Sequence, residues 1–454
     1  MALRLAARTA AALRPAAVPA AARRLAAAAT TGGDVDPVVT SGASQPCWFR
    51  AGEAPGPEYR PLQKDVLADV CVVGGGITGV SVAYQLAKEG AAVVLLEDGV
   101  IASGETGRTT AHLMSNMDDR FTHLEYLHGA RGAQLAAESH QRAIDYIEHV
   151  VAVEGIDCDF KRLDGYLMER ESRRDDPTDL LRELEAAQRA VLRGVHRVDR
   201  APLPGMDSGV AYCAPNQGRF HPTRYVAGLA RALERRGGQI YTRTRAVHFG
   251  GGAAEAIVTT AMGPTVRAAN VVIATNTPVL NKLFIHAKLD NHRSYVVAAD
   301  IPRDGYTDAL FWDMEDPYHY VRFQPGGSKP GVDTILVGGE DHPVGRPHAP
   351  PDELYRRLEA WARARWPAMG RVTSQWSGQV WGERACKTGC GKERLMWGTL
   401  RRSCRRRCRR GCLRLSSRRT RWRTSASTPA STRTCTSPRA TRARASRTAP
   451  SPRC

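Results

Sequence analysis

Apolar runs on either side of one glycine-rich turn dominate the pattern between residues 68 and 98. Residues 70–73 form a continuous apolar run, which is typical of a buried strand in a parallel sheet. Residues 77–89 have the composition of a helix, and Gly90 is the expected residue after its end. Residues 92–96 are a second apolar run. The pattern therefore predicts a strand–helix–strand unit of an α/β fold.

Three glycines in the turn of this unit have the spacing G-x-G-x-x-G. Gly74 allows a tight turn, Gly76 lets a pyrophosphate approach the backbone, and Gly79 lets the helix pack close to the strand. Glu97 ends the second strand, where a carboxylate can accept hydrogen bonds from a ribose 2′-OH. Because all these parts occur in the expected order, the sequence predicts a dinucleotide site. The motif alone does not separate FAD from NAD.

The same reading of apolar and polar positions predicts further elements along the chain. Four more helices are predicted at residues 133–154, 177–193, 225–236 and 352–366. Strands are predicted at residues 156–160, 165–167, 240–249 and 271–276. A polar loop of small residues, 101–112, follows the strand that ends at Glu97. Its backbone amides and hydroxyls can hold phosphate or flavin edges, although a plain surface loop has a similar composition.

Charge is distributed very unevenly over the 454 residues. The formal net charge of +19 suggests nucleic acid or an acidic membrane as partner. However, residues 401–454 contain 18 Arg and no acidic residue, and residues 1–33 contain five Arg and no acidic residue. The body between them is slightly acidic. Of the 11 cysteines, seven lie at or after residue 386, which leaves a body without a disulfide framework and indicates a reducing compartment.

The first 64 residues have the composition of a leader followed by a connection. Residues 1–33 are rich in Ala, carry Arg and lack acidic residues, which predicts an organelle transit peptide. Mitochondrial import is the first expectation, plastid import the second, and a tail without an address remains an alternative. Residues 34–64 are expected to be an extended lead-in. No apolar run is long enough to span a bilayer.

The runs GGGITG, VVLLED and IASGETGRTTAHL resemble the FAD-dependent oxidoreductases of the D-amino-acid-oxidase-like superfamily, which includes glycine and sarcosine oxidases. The resemblance covers about residues 65–380. It implies FAD rather than NAD as cofactor, with the polar loop beside the flavin. The cofactor-binding residues that it implies, together with the motif above, are Gly74, Gly76, Gly79, Glu97, Ser103, Gly104, Arg108, Thr109, Thr110, Val247 and Ala274. No metal site is expected. A Rieske iron–sulfur domain, which some relatives carry, needs two His ligands and is not expected because no His follows His348.

This resemblance implies an α/β protein of two discontinuous domains. Residues 65–130 and 215–285 are predicted to form a Rossmann-like FAD-binding domain that lacks its C-terminal part. Residues 131–214 and 286–375 are predicted to form an α+β substrate domain with a mixed or antiparallel sheet. An Arg-rich, disordered tail is predicted at residues 382–454.

The implied reaction is oxidation of a C–H bond next to the nitrogen of a small amino acid or amine, with hydride transfer to flavin N5. Arg322 is the candidate anchor for a substrate carboxylate, because a guanidinium can grip a carboxylate through two bonds. Tyr295, His319 and Tyr320 are candidates for positioning the substrate or handling a proton. Alternation along the strand places His319 and Tyr320 on opposite faces, so at most one should face the flavin. The electron acceptor, oxygen or an electron-transfer partner, stays open. His112 is not expected to carry a covalent flavin.

A shift of the reading frame by one base changes the amino-acid sequence that the codons of the tail can encode. Joining the last base of each codon to the first two of the next permits residues 434–454 to read NLYVATGDSGQGITHGTIAAL. That string resembles the superfamily's last flavin-binding strand, glycine loop and helix. Residues 416–426 permit VEPADQLPYIG, which resembles the segment after W-S-G-Q-V. We therefore expect residues 416–454 to be out of frame and residues 382–415 to be translated intron or a gene-prediction error, the alternative being a genuine basic tail.

Two other functions remain open at this point. A non-catalytic protein whose Arg-rich tail binds nucleic acid or anionic lipid would show steep salt dependence and no flavin. A defective gene product would show neither activity. No specific nucleic-acid partner is expected, because the tail lacks interleaved aromatic residues.

Overall fold

The computed structural model describes residues 44–49, 57, 59–252, 255–277, 279–280 and 289–383. The predicted transit peptide, most of the predicted lead-in, and the tail from residue 384 onwards lie outside the described residues. Within the described part of the chain, no helix combines the length and the apolar character needed to cross a membrane.

Fifteen strands and five helices longer than one turn are present in the described residues. The strands are β1 (Val66–Val73), β2 (Val93–Leu96), β3 (His112–Leu113), β4 (Lys161–Met168), β5 (His196–Val198), β6 (Ala211–Arg219), β7 (Gln239–Tyr241), β8 (Ala246–Gly251), β9 (Ala256–Thr260), β10 (Thr265–Ile273), β11 (Leu289–Pro302), β12 (Leu310–Asp313), β13 (His319–Gln324), β14 (Val332–Pro343) and β15 (Val372–Glu383). The helices are α1 (Ile77–Lys88), α2 (Phe121–Glu154), α3 (Thr178–Arg189), α4 (Pro222–Arg235) and α5 (Pro351–Arg365).

The first sheet has six strands in the order β7-β2-β1-β10-β9-β8. Strand β1 pairs in parallel with both β2 and β10, and β2 pairs in parallel with β7. Residues 70–73 of β1 are buried throughout, because helices cover one face of the parallel part and other strands and loops cover the other. Helices α1 and α4 pack together in the core on one face. This sheet confirms the predicted Rossmann-like unit.

The second sheet has nine strands, eight of them in the order β15-β11-β14-β13-β12-β4-β6-β3, with β5 added beside β6. Only β12 and β4 pair in parallel, and the other pairs are antiparallel, so the predicted mixed sheet is confirmed. Helix α5 packs on one face of the β11–β14–β13 region. The opposite face of the same strands is directed towards residues 47–48.

Several predicted elements have different bounds. Residues 156–160 are not a strand, and the strand begins only at Lys161. The single strand predicted over 240–249 is two strands, β7 and β8, separated at residues 242–245, where Arg243 has a φ of 48°. Helix α2 begins at Phe121 and bends at Gly129, whose φ of 72° no helical residue adopts. Strand β6 crosses the predicted domain border at residue 214 and belongs entirely to the second sheet.

Candidate active site

The glycine turn connects β1 to α1 with no room for side chains. Gly74 has a φ of +113°, and a Cβ there would overlap the carbonyl oxygen of Ala274. A Cβ on Gly79 would overlap the carbonyl oxygen of Gly74, so α1 could not lie where it does. Ala274 follows β10 and donates its N–H to the carbonyl of Val73 at 2.8 Å. The structure thus brings Ala274 directly against the turn.

The N-terminus of α1 is available to an anion. Its N-cap residue is Gly76, which has no side chain to accept hydrogen bonds from the first turn. The N–H of Ile77 donates to Oγ1 of Thr106 at 3.0 Å. A helix N-terminus with little capping favours negative charge, so this position fits the pyrophosphate of a dinucleotide. Thr106 carries one of the loop hydroxyls that the sequence predicts to hold phosphate or flavin edges, and here that hydroxyl accepts the first amide of α1.

Glu97 is held at the end of β2 by two backbone amides. Gly75 donates its N–H to Oε2, and Gly99 donates its N–H to Oε1 at 2.9 Å. Burial raises the pKa of the Glu97 carboxyl, against the effect of these two amides. Each carboxylate oxygen keeps a further lone pair, so Glu97 can still accept from ribose hydroxyls. The backbone N–H groups of Arg243 and Thr244 donate to the carbonyls of Gly99 and Glu97 at 2.8 Å.

Val247 lies one strand further along, at an irregularity in the pairing between β8 and β9. Its side chain is partly buried. The backbone of Arg243 and Thr244 meets the end of β2, and the predicted contact of the Val247 backbone with the cofactor stays a prediction. The sequence missed this pair because it predicted an unbroken strand there.

The polar loop of residues 101–112 connects the two sheets. Arg108 donates from its guanidinium to the carbonyls of Ser377 and Ser44, both at 2.8 Å, and burial lowers its pKa. Trp376 donates its indole N–H to the carbonyl of Arg108 at 2.8 Å. Arg108 therefore ties the loop to strand β15 in this structure.

The other four predicted loop residues are small, and two of them are buried. Ser103 and Thr110 are buried, and Gly104 precedes a 3-10 turn whose last residue, Gly107, donates its N–H to the Gly104 carbonyl at 3.0 Å. Thr109 accepts the N–H of Ala111 through Oγ1 at 3.0 Å. The loop is thus a folded part of the interior rather than a plain surface loop.

The four predicted catalytic residues divide between the two faces of the second sheet. Arg322 pairs in register with Leu336, which lies in the cluster that contains Trp48. Tyr320 is on the same face as Arg322. Tyr295 and His319 are on the face that α5 covers.

Arg322 is completely buried, at 0% exposure. Its guanidinium donates to the carbonyl of Phe220 at 3.3 Å and to Oε1 of Gln324 at 2.5 Å. Its Nε–H has no partner among the described residues. Both accepting groups are neutral, and among the described residues no carboxylate accepts a hydrogen bond from this cation, although the charges of Asp308 and Asp159 act on it from further away. Burial, and next the charge of Arg219, lower the Arg322 pKa to about 9, which leaves it protonated at neutral pH.

Tyr320 and His112 lie beside Arg322. The Tyr320 ring covers Gly338, where a Cβ would overlap the ring, and its hydroxyl is 2.9 Å from Oγ of Ser294. Burial raises the pKa of Tyr320, so its hydroxyl stays protonated at neutral pH. The His112 ring is 5.6 Å from the Tyr320 ring, centroid to centroid.

His112 is held as one neutral tautomer. Its Nε2 is 3.2 Å from the carbonyl of Val321, which can only accept, so Nε2 carries the hydrogen. Its Nδ1 then accepts from the hydroxyl of Thr110 at 3.0 Å. Burial, and next the charge of Arg322, lower the His112 pKa to about 3. No local pattern in the sequence predicts that His112 lies beside Arg322.

Tyr295 and His319 have structural partners on the α5 face. The Tyr295 hydroxyl donates to Nε2 of His342 at 3.2 Å, since Nδ1 of His342 donates to the carbonyl of Pro343. His319 is 2.9 Å from Oδ2 of Asp313 and stacks on Trp361 with a centroid distance of 4.3 Å. These contacts place Tyr295 and His319 on the far side of the sheet from Arg322. Tyr320 therefore shares a sheet face with Arg322, and His319 does not.

Trp48 is a member of the site that the sequence did not predict. It lies in a 3-10 turn, Cys47–Phe49, inside the segment predicted to be an extended lead-in. Its ring centroid is 5.4 Å from the guanidinium carbon of Arg322, and its indole N–H donates to the carbonyl of Thr109 at 2.8 Å. The available signal was a Trp and a Phe side by side, since large aromatic residues are usually buried.

The described residues fit the ADP half of a dinucleotide. The glycine turn admits no Cβ, the helix N-terminus favours an anion, and Glu97 offers carboxylate oxygens. These are three separate observations of this chain, and each corresponds to a different part of the ligand. The residues beyond 383, where the resemblance places the flavin-side segment, lie outside the described residues.

Comparisons with known proteins agree with this site. The protein-family model described as FAD dependent oxidoreductase matches residues 69–385. A putative Rieske 2Fe-2S iron-sulfur protein, YhfW, of Bacillus subtilis (strain 168) is 29% identical over 294 residues, which are 64% of this chain and 55% of that protein. Gamma-glutamylputrescine oxidoreductase of Escherichia coli (strain K12) is 27% identical over 230 residues, 48% of this chain and 52% of that protein. The chain thus spans about half the length of these relatives.

Two solved structures have the same fold. Glycine oxidase from Geobacillus kaustophilus superposes with a TM-score of 0.56 at 18% identity, covering 70% of this chain and 84% of the other. L-proline dehydrogenase from P. horikoshii gives a TM-score of 0.56 at 18% identity, covering 70% and 82%.

Proposed function

Since the chain belongs to the FAD dependent oxidoreductase family and its cofactor is accordingly FAD, we propose that it oxidises the C–H bond beside the nitrogen of a small amino acid or amine. The glycine oxidase and proline dehydrogenase folds, and an oxidoreductase relative named for gamma-glutamylputrescine, support a nitrogen-bearing substrate. A non-catalytic basic protein receives no support from these relatives.

The observation that carries the proposal is the buried guanidinium of Arg322. A buried cation without a carboxylate partner is costly, and an arriving substrate carboxylate would offset that cost. The planar guanidinium can hold such a carboxylate through two hydrogen bonds. Arg322 lies on the sheet face that carries His112 and Tyr320, next to the polar loop. An amino acid bound there would have its carboxylate fixed and its carbon–nitrogen bond oriented.

The remaining residues of the site then have definite tasks. The N-terminus of α1 and Glu97 would hold the pyrophosphate and ribose of FAD, which when bound supplies the hydride acceptor. Neutral His112 adds no further positive charge to those of Arg322 and Arg219, and Tyr320 provides a protonated hydroxyl. Burial of the whole group excludes water from the carboxylate.

Reduction of bound FAD under anaerobic conditions tests this function. The purified chain is supplied with FAD and then titrated with small amino acids, the corresponding amines, and 2-hydroxy acids of the same size. We expect an amino acid or amine to remove the visible absorbance of the oxidised flavin, and hydroxy acids to leave it. Bleaching by hydroxy acids alone would contradict the proposal.

We also propose that the reduced flavin passes its electrons to oxygen or to an electron-transfer protein.

For the location of the protein, we propose that residues 1–33 direct the chain to mitochondria. The composition of those residues, rich in Ala and Arg without acidic residues, supports import. A fusion of residues 1–33 to a fluorescent protein tests it. Fluorescence that stays in the cytosol would argue against an import signal.

A further inference from the structure

Residues 44–49, the Trp48 segment, lie between the polar loop and the second sheet. Arg108 donates to the carbonyl of Ser44 at 2.8 Å, and Trp48 donates to the carbonyl of Thr109. A Cβ on Gly107 would approach the ring of Phe49 to 2.5 Å. Trp48 itself is 2% exposed. The segment is therefore a fitted part of the interior.

Trp48 covers the guanidinium that the proposed function requires. The ring lies 5.4 Å from the guanidinium carbon of Arg322, at a distance where a cation is attracted to an aromatic face. The centroid of the Trp48 ring lies 4.7 Å from the centroid of the His221 ring. With the indole in place Arg322 has no exposed surface. A carboxylate from solution cannot reach it in this arrangement.

The other neighbours of Arg322 are held more firmly than the indole. Strand β13 lies between β12 and β14, and hydrogen bonds to both sides fix it. His112 uses both ring nitrogens in hydrogen bonds. The Trp48 side chain has one hydrogen bond, on a turn of three residues. The Tyr320 side chain also has one hydrogen bond, but Tyr320 lies on a strand bonded on both sides, whereas Trp48 lies on a turn of three residues.

We propose that Trp48 is the gate to Arg322: the indole swings away to admit a substrate carboxylate and closes over it afterwards. This inference rests on the proposed role of Arg322 as carboxylate anchor. A closed indole keeps water from the ion pair, which strengthens it. Trp48 therefore controls the access of the substrate carboxylate to Arg322. Its closed indole then packs beside the bound carboxylate.

Arginine modification by phenylglyoxal tests the gate on the full chain without added FAD. The extent of modification at Arg322 is read by mass spectrometry of its peptide, in wild type, Trp48→Ala and Trp48→Phe. We expect Arg322 to react at least about tenfold faster in Trp48→Ala than in wild type, since local opening then needs no indole movement. Trp48→Phe keeps a ring and should stay close to wild type. Acetate should slow the reaction in Trp48→Ala.

Arg365 serves as the internal reference, because it is buried on the α5 face and stacks on Trp361. Its rate should be the same in all variants. If the modification rate of Arg365 rises in Trp48→Ala, that variant has loosened as a whole, and Trp48→Leu is used in its place. In Trp48→Leu we expect Arg322, but not Arg365, to be modified faster than in wild type. The gate is wrong if Arg322 reacts rapidly in wild type. It is also wrong if Arg322 reacts no faster in Trp48→Ala, or in its replacement Trp48→Leu, than in wild type.

Failure of the gate and failure of the proposed function give different results. If Arg322 shows the expected reactivity and acetate does not protect it, the gate is present but the anchor role is wrong. If acetate protects and no amine reduces the flavin, the carboxylate site stands without the proposed oxidation.

Discussion

At the scale of single residues, burial lowers the pKa of both Arg322 and His112. The Arg322 pKa of about 9 leaves it charged at neutral pH, whereas the His112 pKa of about 3 leaves it neutral. The hydrogen bond from Nε2 of His112 to the Val321 carbonyl fixes the tautomer that faces this arginine. Of these two side chains only Arg322 carries a positive charge at neutral pH, and its guanidinium is the group best suited to a carboxylate.

Replacing Arg322 by Met removes that charge while keeping much of the volume. For an amino-acid substrate of the FAD-loaded protein we expect KM to rise roughly 100-fold, because two charge-assisted hydrogen bonds are lost. For an amine without a carboxylate KM should not change. Steady-state kinetics on both substrates measures this. Arg365→Met, on the opposite face of the sheet, is the matched control and should leave both values near wild type.

His112 should make the stability of the protein depend on pH. Its folded-state pKa lies below the ordinary value of 6.5, so its contribution is complete above about pH 6.5 and is lost as the pH falls towards 3. Each unit of pKa corresponds to about 1.4 kcal/mol. His112→Gln preserves one donor and one acceptor without titrating. We expect the wild type to lose more stability than this variant between pH 7 and 4, measured by urea unfolding. If wild type and His112→Gln lose the same free energy of unfolding between pH 7 and 4, the pKa of His112 is not lowered and the prediction is wrong.

Single residues differ in how far the sequence predicts them. Gly74, Gly79 and Glu97 follow from a motif whose spacing has a local steric reason, and all three lie where the motif requires. Trp48 lies over Arg322, and burial together with the charge of Arg322 lowers the His112 pKa, although both residues are more than 200 positions from Arg322 along the chain. No local spacing encodes such a contact, so the sequence alone could not identify them.

At the scale of elements, the close approach of α1 to β1 shapes the cofactor site. Gly79→Ala would place a Cβ on the carbonyl oxygen of Gly74, so the helix must shift. We expect a loss of about 1–3 kcal/mol in the free energy of unfolding, together with weaker FAD binding. Gly252→Ala is the control, because nothing lies within 4 Å of a Cβ there. Unfolding by denaturant measures the stability, and titration with FAD measures the affinity. Equal stability and equal FAD affinity of the two variants would contradict a steric role for Gly79.

Elements made by local periodicity were predicted more accurately than those shaped by their neighbours. Strands β1 and β2 and helix α1 match their predicted positions within a few residues. The break between β7 and β8 follows from hydrogen bonds of Arg243 and Thr244 to the end of β2, which the apolar pattern does not record. The helical turns of α2 that precede the kink at Gly129 were not predicted, because burial of Phe121 and Leu124, rather than propensity, holds them.

At the scale of the whole molecule, the reading frame of residues 416–454 should decide whether FAD binds firmly. We expect a chain with these residues rewritten in the shifted frame, and residues 382–415 removed, to bind FAD at least about tenfold more tightly than the chain as it stands. Fluorescence titration of FAD with both chains measures the ratio. A transcript that confirms the present frame, together with equal affinity of the two chains, would contradict the frame-shift hypothesis.

The proposed reaction is the oxidation of an amino acid whose carboxylate is bound by Arg322. The most direct test is anaerobic reduction of its bound FAD by one amino acid and by the amine that lacks only its carboxylate. We predict that the amino acid bleaches the flavin at much lower concentration, and that Arg322→Met removes the difference. A flavin reduced equally by both compounds in the wild type, or by neither, would contradict the claim.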